Sequence, residues 1–230
     1  MTRRLVLALW HAALLALLLP MAACAAQPAA DPVEGVDYVR IDGGAPWRPL
    51  KPGQVEVAEL FAYTCPHCAH FHPALEAWRA KLPKFVQVRY LPPGYDANEP
   101  LARAFFASEA LGMLPRTHGA TFRAIHDEMS LPRNPSDGEI ATFYASLGVD
   151  AKKFLAAMTS PDTAAKMKAA RAFSMRSAIE GTPTLIVDGT YRIQGDTVEA
   201  QLRNARRVID MVARRKKSRP EFRIHPQDRP

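Results

Sequence analysis

An α/β fold carrying an inserted helical domain is what this 230-residue sequence predicts. Apolar runs with the two-residue period of strands lie near both ends of the body, and a stretch of roughly 80 residues between them keeps a helical period. The pair Cys65-Pro66-His67-Cys68 stands where a strand pattern gives way to a helix pattern.

The elements follow in order. Met1-Thr2-Arg3-Arg4 is a positively charged start, Leu5 to Leu19 is apolar but shorter than the roughly 18 residues a spanning helix wants, and small residues precede Cys24. Residues 1–23 therefore read as a secretory signal. Met21-Ala22-Ala23-Cys24 resembles the bacterial lipoprotein box, which would acylate Cys24 and anchor the protein by lipid; plain cleavage near Ala26 is the other route, and both stay open. Residues 24–35, with Pro28 and Pro32, read as a linker. In residues 36–96, Val36 to Ile41 is a first short strand and Val55 to Tyr63 a buried one. The Cys-x-x-Cys pair follows, and then Phe71, Leu75 and Trp78 at helical spacing, with a stop near Leu82 before Pro83. Phe85 to Leu91 is the next strand, which makes a β-α-β unit with parallel strands.

Residues 97–180 carry only helical faces: Leu101 and Phe105; Phe122, Ile125 and Met129; Ile140, Phe143, Tyr144 and Leu147. Ser136-x-x-Glu139 is a capping box, and Gly148 ends that helix. These apolar residues read as core. In residues 181–213, Thr184 to Val187 and Tyr191 to Ile193 are strands joined by Asp188-Gly189, a hairpin dipeptide. Asp196 then caps a helix with apolar positions Val198, Leu202, Val208, Ile209 and Val212. Residues 214–230 read as a solvated basic tail.

The charge balance argues against a nucleic-acid partner. Of 30 basic and 23 acidic residues, two basic ones fall in residues 1–23, and ten basic and three acidic in residues 203–230. Residues 24–202 keep 18 basic and 20 acidic groups, a net charge of −2. The basic excess is terminal, so no nucleic-acid surface is expected.

The pattern places Cys65 at a helix N-terminus. Unpaired backbone N–H groups and the helix dipole stabilise a thiolate there, lowering a thiol pKa from its free value of about 8.5. A structural zinc site would need two further ligands. The remaining cysteine, Cys24, lies at the processed end, and His70 and His72 are two residues apart and point to different sides of a helix. No metal or other cofactor is expected. An exported chain with one such pair has no framework of structural disulfides, which leaves the thiols free for chemistry.

Taken with Glu59 on the preceding strand, the helical insertion and Gly181-Thr182-Pro183-Thr184, the motif resembles the DsbA family of exported thiol:disulfide oxidoreductases within the thioredoxin superfamily. Cys-Pro-His-Cys is the pattern of that family, whereas thioredoxins carry Gly-Pro between their cysteines. The family is a standing example of a low-pKa, oxidising dithiol, so that property is implied by the resemblance.

The resemblance implies a thioredoxin-like fold with Cys65 as the attacked sulfur, Cys68 as its less accessible partner and Pro66 and His67 as the tuning dipeptide, His67 supplying a hydrogen bond or charge to the Cys65 thiolate. It further implies Glu59 as a buried acid for proton transfer, with a solvent-facing carboxylate as the alternative. Arg89 stands where the family often has a lysine paired with that acid. Pro183 is expected in the cis form, presenting the backbone of Thr182 to substrate; Thr182 departs from members that carry valine there.

The function so implied is the introduction of disulfides into reduced, unfolded exported proteins by a periplasmic monomer, soluble or lipid-anchored. A membrane quinone-linked oxidase of the DsbB type would re-oxidise it. An isomerase or reductase is the second reading, favoured by Thr182, and a metal- or partner-binding module using the same cysteines is the third.

Overall fold

The computed structural model describes residues 30–218. Cys24, the signal expected in residues 1–23 and the tail beyond Ser218 lie outside them. Five strands and seven helices are present among the described residues: β1 (Tyr38–Arg40), β2 (Val55–Leu60), α1 (Pro66–Arg79), β3 (Val86–Leu91), α2 (Pro100–Ala110), α3 (Leu114–His126), α4 (Asp137–Ser146), α5 (Ala151–Met158), α6 (Pro161–Arg176), β4 (Thr184–Val187), β5 (Tyr191–Ile193) and α7 (Val198–Ser218).

The strands form one sheet in the order β1-β5-β4-β2-β3. β2 and β3 are parallel, joined through α1, and the other pairs are antiparallel. All six residues of β2 are buried, because helices cover both sides of the sheet. Val55, Val57, Leu185 and Val187 face Phe71 and Leu75 of α1 and Leu202, Val208, Ile209 and Val212 of α7. Ala58, Leu60, Leu91 and Ile186 face the helices α2 to α6, whose core includes Phe105, Phe122, Tyr144, Phe154 and Phe173. Alternation along β2 thus sends neighbouring residues to two different cores.

Local chemistry sets the element ends. The Ser136 hydroxyl accepts from Glu139 N while the Glu139 carboxylate accepts from Ser136 N, closing the capping box of α4. Asp188 and Gly189 both have positive φ, and Thr190 N donates to Val187 O, which is the turn expected of Asp-Gly. A Cβ on Gly189 would come within 2.0 Å of the Ala45 backbone, so that loop packs against the turn only because the side chain is absent.

Several expectations need correction. α1 ends at Arg79, followed by a turn that carries the chain to Pro83, rather than running to Leu82. Met129 lies beyond the end of α3 and is 76% exposed, so it belongs to no helix face. The Thr197 hydroxyl, rather than Asp196, caps α7, accepting from Ala200 N. The basic tail expected from Arg214 is helical as far as Ser218. Its side chains have partners in and beside the sheet: Lys216 Nζ donates to Asp188 Oδ1 and to Gln54 O, each at 2.7 Å, and Arg215 donates to the Tyr191 hydroxyl at 2.9 Å. The linker is likewise tied down from Asp31, since Arg207 donates to Asp37 Oδ1 at 2.7 Å and to Asp31 O, and Arg214 pairs with the Asp31 carboxylate.

Candidate active site

Cys65 occupies the N-cap of α1, in extended backbone with φ −80° and ψ 117°. Pro66 takes the first helical turn, where a missing N–H leaves no bond unmade. The Cys65 sulfur accepts from Cys68 N at 3.4 Å, the place where a serine or aspartate would cap. Both cysteines are free thiols, Cys65 half-buried and Cys68 buried.

The two sulfurs differ in electrostatics as well as access. Burial pushes the Cys65 thiol up, but the Thr182 side chain, the Cys68 backbone and side chain and the His67 backbone N–H together outweigh it and hold Cys65 below its ordinary value. Burial dominates at Cys68 and, with the neighbouring Cys65 adding to it, raises that thiol far above its ordinary value. One sulfur is therefore prepared to carry charge and the other to refuse it.

Thr182 lies against the Cys65 sulfur. The Thr182-Pro183 bond is cis, as expected, and the Cys65 thiol donates to Thr182 O at 3.2 Å. A groove of about 550 Å³ runs along this side, lined by His67, Thr182, Pro183, Gln194 and Gln201 among others. The His67 imidazole is exposed and, among the described residues, makes no hydrogen bond to Cys65. What reaches the sulfur from His67 is its backbone N–H.

Glu59 is fully buried, so the solvent-facing alternative is excluded. Neither of its carboxylate oxygens has a hydrogen-bond partner among the described residues. Burial, then the charges of Glu76 and Cys65, push its pKa well up and favour the neutral carboxyl. The expected pairing with Arg89 is not made. β2 and β3 pair Ala58 with Arg89 and Glu59 with Tyr90, so Arg89 stands on the opposite face of the sheet, its charge felt by Glu56.

The sequence reading missed the groups that hold the loop before Cys65. Tyr63 is buried, its hydroxyl lies 2.9 Å from His118 Nδ1, and its carbonyl lies 2.7 Å from His126 Nε2. Both histidines belong to α3, which thereby grips the approach to the thiols from the helical insertion. Imidazoles at positions 118 and 126, on the same helix face as Phe122, were the available signal. His72 also turns inward. It is half-buried, with its ring 4.8 Å from that of His118, and Gly119 makes room for it: a Cβ there would sit 3.1 Å from His72 Nε2. Among the described residues no group of three or more His, Cys, Asp or Glu side chains is arranged to hold a metal ion.

Comparison with known proteins agrees with this geometry. A family model described as thioredoxin matches residues 51–205. The thiol:disulfide interchange protein DsbA of Azotobacter vinelandii is 36% identical over 159 residues, covering 69% of this chain and 72% of that protein. Its namesake in Burkholderia cepacia is 32% identical over 190 residues, covering 82% and 87%. The crystal structure of the oxidoreductase DsbA from Xylella fastidiosa superposes with a TM-score of 0.76 at 40% identity, covering 80% of this chain and 98% of that one. With the dithiol at a helix N-cap, the cis-proline loop beside it and relatives of this extent, the chain belongs to the DsbA family of thiol:disulfide oxidoreductases.

Proposed function

We propose that the protein is an exported oxidase of protein thiols, which passes a Cys65–Cys68 disulfide to reduced, unfolded proteins in the periplasm. The observation that carries this reading is the asymmetry of the two sulfurs: Cys65 is accessible and held below its ordinary pKa, while Cys68 is 0% exposed and raised.

In the oxidised protein a substrate thiolate attacks Cys65 Sγ. The Cys65–Cys68 bond breaks, and Cys68 leaves as a thiolate that takes up a proton, because its burial disfavours charge. A second thiolate of the substrate attacks the substrate sulfur of the mixed disulfide and expels Cys65 as a thiolate. The substrate gains a disulfide, and two electrons pass to the protein's cysteine pair. The hydrogen bonds that lower the Cys65 pKa stabilise the reduced product, and this favours the oxidising direction.

Other residues take supporting roles in the proposal. The neutral Glu59 carboxyl supplies the proton for Cys68. Thr182 presents its backbone to an extended substrate segment that pairs as an added strand over Cys65. A membrane quinone-linked oxidase of the DsbB type restores the disulfide, and acylation of Cys24 would keep a monomeric enzyme near that membrane.

The test mixes oxidised protein with a reduced, unfolded substrate carrying two thiols. Stoichiometric disulfide formation is expected, together with none from a Cys65→Ser variant. No oxidation, or identical behaviour of that variant, overturns the reading. Equilibration of the dithiol with glutathione separates an oxidase from a reductase.

A further inference from the structure

A second groove, of about 620 Å³, opens between α1 and α3, and none of its lining comes from the Thr182-Pro183 loop. It begins at Pro66, the residue after the attacked sulfur. Its lining includes the guanidinium groups of Arg123 and Arg133 against a single carboxylate, that of Asp127. This local excess is not a sample of the whole, since residues 24–202 have a net charge of −2.

The two arginine charges are available to a partner. Arg133 is exposed and has no hydrogen bond or ion pair among the described residues. Arg123 approaches Glu128 at 4.0 Å, with both side chains more than half exposed. A solvated pair at that distance holds little energy and exchanges readily for a better one.

We propose that this groove recognises acidic residues flanking the reacting cysteine of a substrate protein. Pro66 follows Cys65 and lines the same cleft as Arg123 and Arg133; an extended segment advances about 3.3 Å per residue, so residues flanking a substrate cysteine docked at Cys65 would lie along it. Carboxylates there would gain pairing and a faster encounter. The inference rests on the oxidase reading and adds a substrate preference to it.

The experiment uses the oxidised full-length protein and two otherwise identical cysteine peptides, one with three aspartates beside the cysteine and one with three asparagines. At low ionic strength the aspartate peptide should react about 3- to 10-fold faster, read as the second-order rate constant of its attack on the oxidised protein, and the difference should shrink in high salt as the Debye length falls. Arg123→Gln with Arg133→Gln should abolish the preference and leave the asparagine peptide's rate unchanged. Arg123→Glu with Arg133→Glu should transfer the preference to a lysine-flanked peptide. Equal wild-type rates for the aspartate and asparagine peptides, or a preference that survives both double variants, overturn the groove's role while leaving the oxidase reading intact. Failure to oxidise either peptide overturns both. Binding of the groove arginines to anionic lipid vesicles, without any effect on peptide rates, would assign the charge to a membrane surface and also overturn the proposal.

Discussion

Replacement of Glu59 by leucine measures what the buried carboxyl costs. The side chain is 0% exposed, its two oxygens have no hydrogen-bond partner among the described residues, and it faces Tyr90 and Leu185 across the neighbouring strands. An unsatisfied buried polar group costs about 1–3 kcal/mol, and leucine fills a similar volume with methyl groups. Glu59→Leu should therefore stabilise the protein by about 1–3 kcal/mol near pH 4.5. The gain should grow with pH. Burial raises the folded-state pKa, so above the ordinary carboxylate range the unfolded chain loses a proton that the folded chain keeps. Wild-type stability then falls with rising pH, by at most about 1.4 kcal/mol per unit, until the folded pKa is passed. Urea unfolding of both proteins at intervals from pH 4.5 to 7.5 reads the difference directly, and each kcal/mol corresponds to about 2–4 °C in Tm for a domain of this size. Glu59→Gln retains the polar burden without the titration, so its difference from leucine should stay flat with pH. A leucine variant less stable than wild type, or a gain independent of pH, would refute the reasoning.

Two further outcomes follow from other parts of the structure. Burial holds His118 well below and His72 below the ordinary imidazole pKa, so both fold neutral; below about pH 6.5 the unfolded chain binds protons that the folded one refuses, and stability should fall by up to about 1.4 kcal/mol per pH unit for each, until the folded pKa is reached. A His118→Phe variant should show a shallower decline in the same urea titration, and an unchanged slope would count against the assignment. Gly189→Ala should destabilise by at least about 2 kcal/mol in thermal unfolding, because φ is +65° and the new Cβ would meet the Ala45 backbone at 2.0 Å; a neutral effect would mean that the loop moves away freely.

The pattern of local chemistry made much of this molecule legible in the sequence. Thr184–Val187 and Tyr191–Ile193 stand where alternation and Asp188-Gly189 put them, and Ser136 with Glu139 closes the box its spacing announced. Strand register was harder to read: whether Arg89 faces Glu59 depends on the β2–β3 pairing, and a shift of one residue sends a side chain to the other core. The grip of His118 and His126 on Tyr63 joins residues 55 and 63 positions apart, a distance no local period encodes. The basic run at Arg214 to Lys217 read as tail because its partners, Asp188, Gln54 and Tyr191, lie in the strands or at their ends, far away in sequence. Composition alone could not supply them.

The division of labour between the two sulfurs is tested most directly by titrating the reduced protein's thiolate absorbance with pH, in wild type and in Cys65→Ser and Cys68→Ser variants. The account predicts a single thiolate appearing below the ordinary cysteine range, present in Cys68→Ser and absent from Cys65→Ser, with no second ionisation near neutrality. Two thiols ionising together near the free value of about 8.5, or an early thiolate that survives in Cys65→Ser, would contradict it.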